Sequence, residues 1–410
     1  MVVGVLILAL TMAALPFMGA CAPAEKTLKV GFSICMTGPL AEKGSPTGHA
    51  KLDCVKYINE ERGGVNGYPI EAIWYDNAYD AAKGPIIVRK LMDDGCLFFT
   101  TSSSHIMSAS MEIANRAGFP GFSVFSSPVC IHPPQHIYGQ TPDYGDDALA
   151  FARFYIENIW KGTGKPKFAL HLLNNPTGYG AWDAYRAKAD ELGIEIVITE
   201  EHDKTTISEM ESLTRIKAAN PDVLFISSTS APTSVIMKDA YGLGLYPGIT
   251  VGCAHASFTK ALIDMAGADV VDGVYGTFPT VMWWENVPGM AKATEYFQKY
   301  HPKDYGNMDY LTSWAEGLIC AEILRLALEN CGYDVLAKGD ATTWECVEKN
   351  GIQKLDYDVD GLQGPVGYMP GDNRLTRFNR IYQIVNGEIT NPSAWTEAPL
   401  VKYEEYQWFK

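Results

Sequence analysis

Hydrophobic and polar positions change period several times along this chain. Residues 27–34 (TLKVGFSI) alternate and are rich in branched side chains, which predicts a strand. A Gly-rich loop follows at 37–44, then a helical period to about Arg62, where Gly63-Gly64 stop it. Tyr68–Asp76 reads as a strand, Ala81–Asp94 as a helix, and Leu97–Thr101 as a strand. Ser108–Ala117 reads as a helix and Gly121–Phe125 as a strand. Such alternation predicts a parallel sheet covered by helices on both faces. It restarts after Asp143. Helices are predicted at Asp147–Trp160, Ala181–Leu192, Ser208–Ala219 and Thr233–Gly242. Strands fall at Lys167–Leu173, Ile194–Thr199, Asp222–Ser227, Ile249–Cys253 and Gly273–Thr277. Helices then occupy about 289–300, 309–330 and 342–350. A late strand, Arg377–Val385, runs into Asn386-Gly387, a hairpin-type turn. The pattern is two α/β runs of lobe size and a C-terminal third that docks onto them.

Residues Val2–Phe17 are almost entirely apolar and too short for a membrane span of about 20 residues. Small residues and Cys21 follow, so residues 1–20 are expected to be a signal peptide and the mature protein to be exported. Gly19-Ala20-Cys21 resembles the lipobox of bacterial lipoproteins, which implies a lipid anchor at Cys21 and contact with the membrane through that anchor alone. With 33 Lys+Arg against 48 Asp+Glu, the net charge is −15, which argues against a nucleic-acid partner. Hydrophobic residues make up 47% of the chain, enough for a sizeable core.

Eight cysteines remain beyond Cys21: Cys35, Cys54, Cys96, Cys130, Cys253, Cys320, Cys331 and Cys346. Export permits disulfides, and each thiol reads either as a disulfide partner or as a small buried hydrophobe. Cys320 and Cys331 share one helical pattern and lie about 16 Å apart along it, too far to bridge. Cys331 ends that helix and Cys346 lies in the next, so this pair can meet. No metal-ligand spacing is present, and no metal or cofactor is expected. There is no GxSxG, no P-loop, no HExxH and no dinucleotide fingerprint, so an enzyme is not expected.

In open parallel sheets, ligands bind at the carboxyl ends of strands. Those ends are hydroxyl-rich here: Thr100–Ser104, Ser126-Ser127 and Ser227–Ser230. Hydroxyls and loop N–H groups ahead of a helix suit a carboxylate or another small polar group.

Several stretches resemble the periplasmic branched-chain amino-acid-binding proteins. They are Lys29–Pro39 (KVGFSICMTGP), the run Ile58–Ile70 (INEERGGVNGYPI), Asp76, Ser102–Ser104, Tyr179-Gly180, and Ala266-Gly267 with Asp272–Val274. The resemblance extends over about residues 27–392. It implies an α/β fold of type I periplasmic binding proteins: two lobes, each a parallel sheet flanked by helices, joined by a three-stranded hinge. Lobe 1 is expected at 27–143 plus 278–364, and lobe 2 at 144–277 plus 365–392. The hinge would be formed by 139–145, 276–280 and 362–367. Residues 393–410 are expected to be a C-terminal extension packed on a lobe surface. The implied function is capture of a small molecule in the interlobe cleft and delivery to the permease of an ATP-binding-cassette transporter. The receptor is expected to be a monomer. The alternatives are a branched-chain amino acid or amide binder, or the sensing ectodomain of a signalling system.

The resemblance also places the ligand contacts. The family's carboxylate-holding positions fall on Ser103, with Ser104 beside it, and on Ser126 and Ser127. A lobe 2 tyrosine falls on Tyr179, and another lobe 2 contact falls near Thr229 and Ser230. The acidic partner of a ligand ammonium falls on His255, and a first-loop aromatic on Lys43. The family's lobe 1 disulfide falls on Tyr79 and Ser102, so it is absent. An α-ammonium buried without a counter-charge costs several kcal/mol. The expected ligand is therefore a small carboxylate without an α-ammonium, with Trp283-Trp284 as a candidate wall of its pocket.

Overall fold

The computed structural model describes residues 26–408, so the predicted signal peptide and Cys21 lie outside the described residues. The strands are β1 (Leu28–Ile34), β2 (Ile70–Asp76), β3 (Phe99–Thr101), β4 (Gly121–Ser123), β5 (Ile137–Gly139), β6 (Lys167–Leu173), β7 (Glu195–His202), β8 (Val223–Ser227), β9 (Thr250–Cys253), β10 (Tyr275–Phe278), β11 (Asp356–Tyr357), β12 (Val366–Gly367), β13 (Phe378–Val385), β14 (Glu388–Thr390) and β15 (Thr396–Glu397). The α-helices are α1 (Ala41–Glu61), α2 (Lys83–Asp93), α3 (Ser104–Ala117), α4 (Pro128–Ile131), α5 (Tyr144–Phe154), α6 (Pro176–Leu192), α7 (Met210–Ala218), α8 (Ser230–Gly242), α9 (Lys260–Ala266), α10 (Ala268–Val271), α11 (Met290–Tyr300), α12 (Met308–Cys331), α13 (Tyr333–Leu336) and α14 (Ala341–Asn350).

Two sheets result. The first, in order β2-β1-β3-β4-β5, is parallel throughout. The second runs β14-β13-β10-β9-β8-β6-β7, parallel from β10 to β7, with β13 antiparallel. The predicted Asn386-Gly387 turn joins β13 to β14, and both residues take positive φ (51° and 79°), as a primed hairpin turn requires. One face of the first sheet packs on α1, α11 and α12 around Trp314, and the other on α2 and α3. The second sheet is covered by α5 and α6 on one face, and by α7, α8 and α9 on the other.

Helices α1 and α12 cross closely because Gly317 faces Cys54, where an added Cβ would come within 2.6 Å of the Cys54 side chain. The same pair of helices buries an ion pair. Lys51 Nζ lies 2.8 Å from Glu316 Oε1 and donates to Thr100 Oγ1 at 2.7 Å, with both charged side chains at most 1% exposed.

The chain passes between the sheets after β5, after β10 and before β13. The first passage ends in a reciprocal cap, in which Asp143 accepts from the Asp146 N–H and Asp146 accepts from the Asp143 N–H. At the second, Thr280 bridges Gln363, whose side chain donates to the Gln140 carbonyl. The third departs from expectation. Val366 pairs with Tyr357, and Val366 and Leu375 lie in the first sheet's core. Arg374 bridges alongside Gly139 at the edge of β5. This crossing therefore lies between Leu375 and Phe378 rather than at 362–367. The apolar side chains Val366 and Leu375 keep the intervening segment on the first sheet's side.

The C-terminal segment does more than lie on a surface. β15 pairs with β13, and Ala398, Val401 and Tyr406 are buried with α5 and α6. Arg374, 2% exposed, grips Asp372 and Asp146 and donates to the Val401 carbonyl. Cys331 and Cys346 form a disulfide between α12 and α14, as their positions predicted, and the other six described cysteines are free and buried. No helix among the described residues is long and apolar enough to cross a membrane.

Candidate functional site

Between the carboxyl edges of the two sheets lies an inner cavity of about 10 Å³. From the first sheet's side it is lined by Leu40, Lys43, Tyr79, Ser102–Ser104 and Phe125. From the second side it is lined by Tyr144, Thr177, Thr229 and Ala256. An outer cavity of about 330 Å³ adjoins it and shares Leu40, Tyr79 and Thr229 with its lining.

Local sequence explains how these groups arrive. Asp76, the last residue of β2, accepts from the Thr37 hydroxyl at 2.6 Å and from the Ala78 N–H at 2.9 Å. It thereby ties the loop before Leu40 to the loop before Tyr79. Gly38 sits at φ +87°, and a Cβ there would fall 2.2 Å from the Ala78 carbonyl oxygen, so only glycine fits. Ala78 and Tyr79 both adopt positive φ (52° and 56°), strain of the kind that gathers at binding sites. Ser103 caps α3 by accepting from the Ile106 N–H. Asn175 caps α6 by accepting from the Thr177 N–H. Thr229 occupies the N-cap position of α8 without a side-chain cap bond.

Three helix N-termini, those of α3, α6 and α8, thus meet at the cavity. Each brings the partial positive charge of its free N–H groups. The hydroxyls of Ser104 and Thr177 are 3.3 Å apart, joining the two sides. The Ser102 hydroxyl is buried without a partner. Burial pushes the Tyr79 phenol up to about 12 and also raises the Tyr144 phenol well above its ordinary value, so both remain neutral O–H groups at ordinary pH. Lys43 is 4% exposed; its Nζ pairs with Asp309 and sits 4.4 Å from the centroid of the Phe125 ring. Among the lining residues there is no carboxylate.

The predicted contacts divide. Lys43, Ser103, Ser104 and Thr229 line the inner cavity. Ser126, Ser127, Tyr179, Ser230 and His255 do not. Ser126 faces Gly139 and Ser127 faces Gly180, because β4 ends at Ser123 and the chain has already turned. Tyr179 donates to Glu201 at 3.2 Å. The Ser230 hydroxyl pairs with Thr259 at 2.8 Å.

His255 is fully buried behind the cavity wall, stacked on Tyr144 and tilted on Phe125. Its Nδ1 lies 2.5 Å from Asp147 Oδ2, and its backbone N–H donates to that oxygen. Asn379 occupies the other oxygen of Asp147. The nearby acidic group is thus held behind His255 rather than presented to the cavity.

Trp283 and Trp284 are also corrected. Trp283 packs on Phe297 and Tyr310 and donates to the Asn307 carbonyl, and Trp284 is 58% exposed. Sequence reasoning missed Tyr79, Phe125, Tyr144 and Thr177. Tyr79 and Ser102 occupy the positions where the family's disulfide is absent, and both face the cavity.

The family model described as periplasmic binding protein matches residues 27–388. The chain belongs to the periplasmic binding protein family. This periplasmic binding protein is 23% identical over 335 residues to a Leu/Ile/Val-binding protein homolog of Brucella suis, covering 78% of this chain and 81% of the relative. Its fold matches that of a branched-chain amino acid transporter protein from Thermus thermophilus with bound valine. The TM-score is 0.77 at 22% identity, over 92% of this chain and 97% of that one. A fatty acid transporter substrate-binding protein from Thermomonospora curvata matches with TM-score 0.77 at 18% identity, over 93% and 95% of the two chains. The architecture is accordingly that of the type I periplasmic binding proteins. No group of three or more potential metal ligands occurs among the described residues.

Proposed function

We propose that this protein is an exported receptor that binds a small carboxylate lacking an α-ammonium, leaves it chemically unchanged, and hands it to a membrane permease. The two lobes correspond to the two sheets with their helices, and the hinge to the three crossings between them. The observation that carries the ligand class is the lining of the inner cavity: one ammonium, that of Lys43, seven hydroxyl-bearing residues and no carboxylate. Three helix N-termini add to the preference for an anion. An α-ammonium there would meet no unpaired carboxylate, since Asp309 is paired with Lys43 and Asp147 is engaged by His255 and Asn379. Ser103, Ser104, Lys43 and Thr229 would contact ligand together with Ser102, Tyr79, Tyr144 and Thr177.

The competing reading is a branched-chain amino acid, which the valine-bound Thermus thermophilus relative favours. A thermal-shift screen of simple aliphatic and aromatic acids against leucine and valine separates the two. At a hundredfold excess over Kd, stabilisation approaches about 2.7 kcal/mol. Stabilisation by leucine or valine and by none of the acids would overturn the carboxylate reading. Lipid anchoring rests on Gly19-Ala20-Cys21. Mass spectrometry of membrane-extracted protein should find an acylated Cys21, and an unmodified Ala22 terminus would remove the anchor.

A further inference from the structure

The inner cavity and the outer cavity are neighbours with unlike walls, sharing Leu40, Tyr79 and Thr229. At about 10 Å³, the inner one has room for roughly one water-sized group. The outer one, at about 330 Å³, begins where Leu40, Tyr79 and Thr229 line both. Its wall is largely apolar: Pro39 and Leu40 on the first sheet's side face Leu173, Pro232, Ala261 and Met265 on the second. Charged groups, Glu42, Lys204 and Asp264, also border it. A ligand that put its whole body in the inner cavity would have to force the Ser104–Thr177 contact apart. One that put only a head group there would leave its remainder against the apolar wall.

We propose that the outer cavity is a second subsite, which takes the apolar tail of an elongated monocarboxylate whose head occupies the inner cavity. This rests on the carboxylate reading of the inner cavity and adds the length of the ligand. Because its walls come from both sides of the cleft, the tail would hold the lobes together as the head does. Leu40 and Tyr79, which line both cavities, would contact the ligand where head passes into tail.

The test is a chain-length series of acetate, butyrate, hexanoate and octanoate measured by calorimetry on the soluble mature protein. Burying a methylene is worth roughly a three- to fourfold gain in affinity, so Kd should tighten by roughly nine- to sixteenfold at each two-carbon step until the outer cavity is filled. Two substitutions obstruct that cavity from positions that are not fully buried, Ala261→Phe on α9 and Ala231→Phe on α8. Each should collapse the ratio of octanoate to butyrate affinity towards one. Their melting temperatures without ligand report whether either is misfolded, and one folded variant suffices. If butyrate binds but affinity does not rise with length, the tail subsite is wrong and the carboxylate reading survives. The same holds if the rise persists in the folded variants. If no member of the series and no aromatic acid binds, both readings fall together.

Discussion

The Ser104 Oγ stands 3.3 Å from the Thr177 Oγ1, and this contact closes the cleft between the two sheets. Ser104 opens α3 on the first side, and Thr177 lies in the first turn of α6 on the second. If the lobes must part to admit ligand, a covalent bond here should prevent entry. We predict that Ser104→Cys with Thr177→Cys, in a Cys130→Ala background because the Cys130 thiol donates to the Ser104 carbonyl, forms a disulfide on oxidation. The oxidised protein should stay compact in small-angle scattering and lose the ligand uptake that the reduced variant shows, with the reduced variant as the reference because both substituted side chains line the cavity. Equal uptake rates for the two forms would mean that opening at this edge is not needed.

Lys51 and Glu316 form a buried pair whose halves are unequal in consequence when broken. Lys51→Met should cost about 3–5 kcal/mol, because Glu316 is left charged without its partner. Adding Glu316→Leu should recover most of that loss. Urea unfolding of the two variants decides it, and a double variant no more stable than the single one would contradict the account.

Removal of residues 393–410 should destabilise the whole protein. Ala398, Val401 and Tyr406 are buried against α5 and α6, and the Val401 carbonyl accepts from Arg374. The loss of this packing is worth roughly 3–5 kcal/mol. A truncated protein that melts within a degree of the full chain would show the segment to be dispensable.

Acid should weaken the fold through its buried histidines. Burial holds the His132 imidazole down at about 4 and the His202 imidazole down at about 3, against an ordinary 6.5. Arg374 adds to the first depression and His171 to the second. Below pH 6.5 the unfolded chain takes up protons that the folded one refuses, so stability is full above 6.5 and falls as pH drops towards 4. The slope is up to about 1.4 kcal/mol per pH unit for each histidine. Both His132 nitrogens lack partners, and its ring lies among Tyr403, Tyr406 and Trp408. His132→Phe should therefore keep the packing and flatten the pH profile between 6.5 and 4. A variant profile parallel to that of the wild type would refute this assignment.

The two parallel sheets were legible because buried strands such as Lys167–Leu173 carry runs of apolar residues between helical periods. The rule that ligands meet strand ends pointed to the runs holding Ser103, Ser104 and Thr229, which line the inner cavity. It failed at Ser126 and Ser127 because β4 stops at Ser123, and the turn that follows aims both elsewhere. Tyr144 and Phe125 look like any core aromatic in a linear sequence; only the approach of the second sheet makes them a wall. Tyr79 owes its position to a left-handed backbone that nothing in its residue type announces. His255 stands behind the cavity wall, and its pairing with Asp147, 108 residues earlier, is a tertiary fact.

The single Cys331–Cys346 bond among eight described cysteines bears on handling the protein outside its compartment. Burial raises the thiols of Cys35, Cys54, Cys96, Cys130, Cys253 and Cys320, so the described residues offer almost no thiolate to an alkylating reagent while the protein is folded. Unfolding exposes six reactive sulfurs at once. Labelling by a maleimide thus becomes a stopwatch for global opening, and a ligand that holds the lobes shut should slow it.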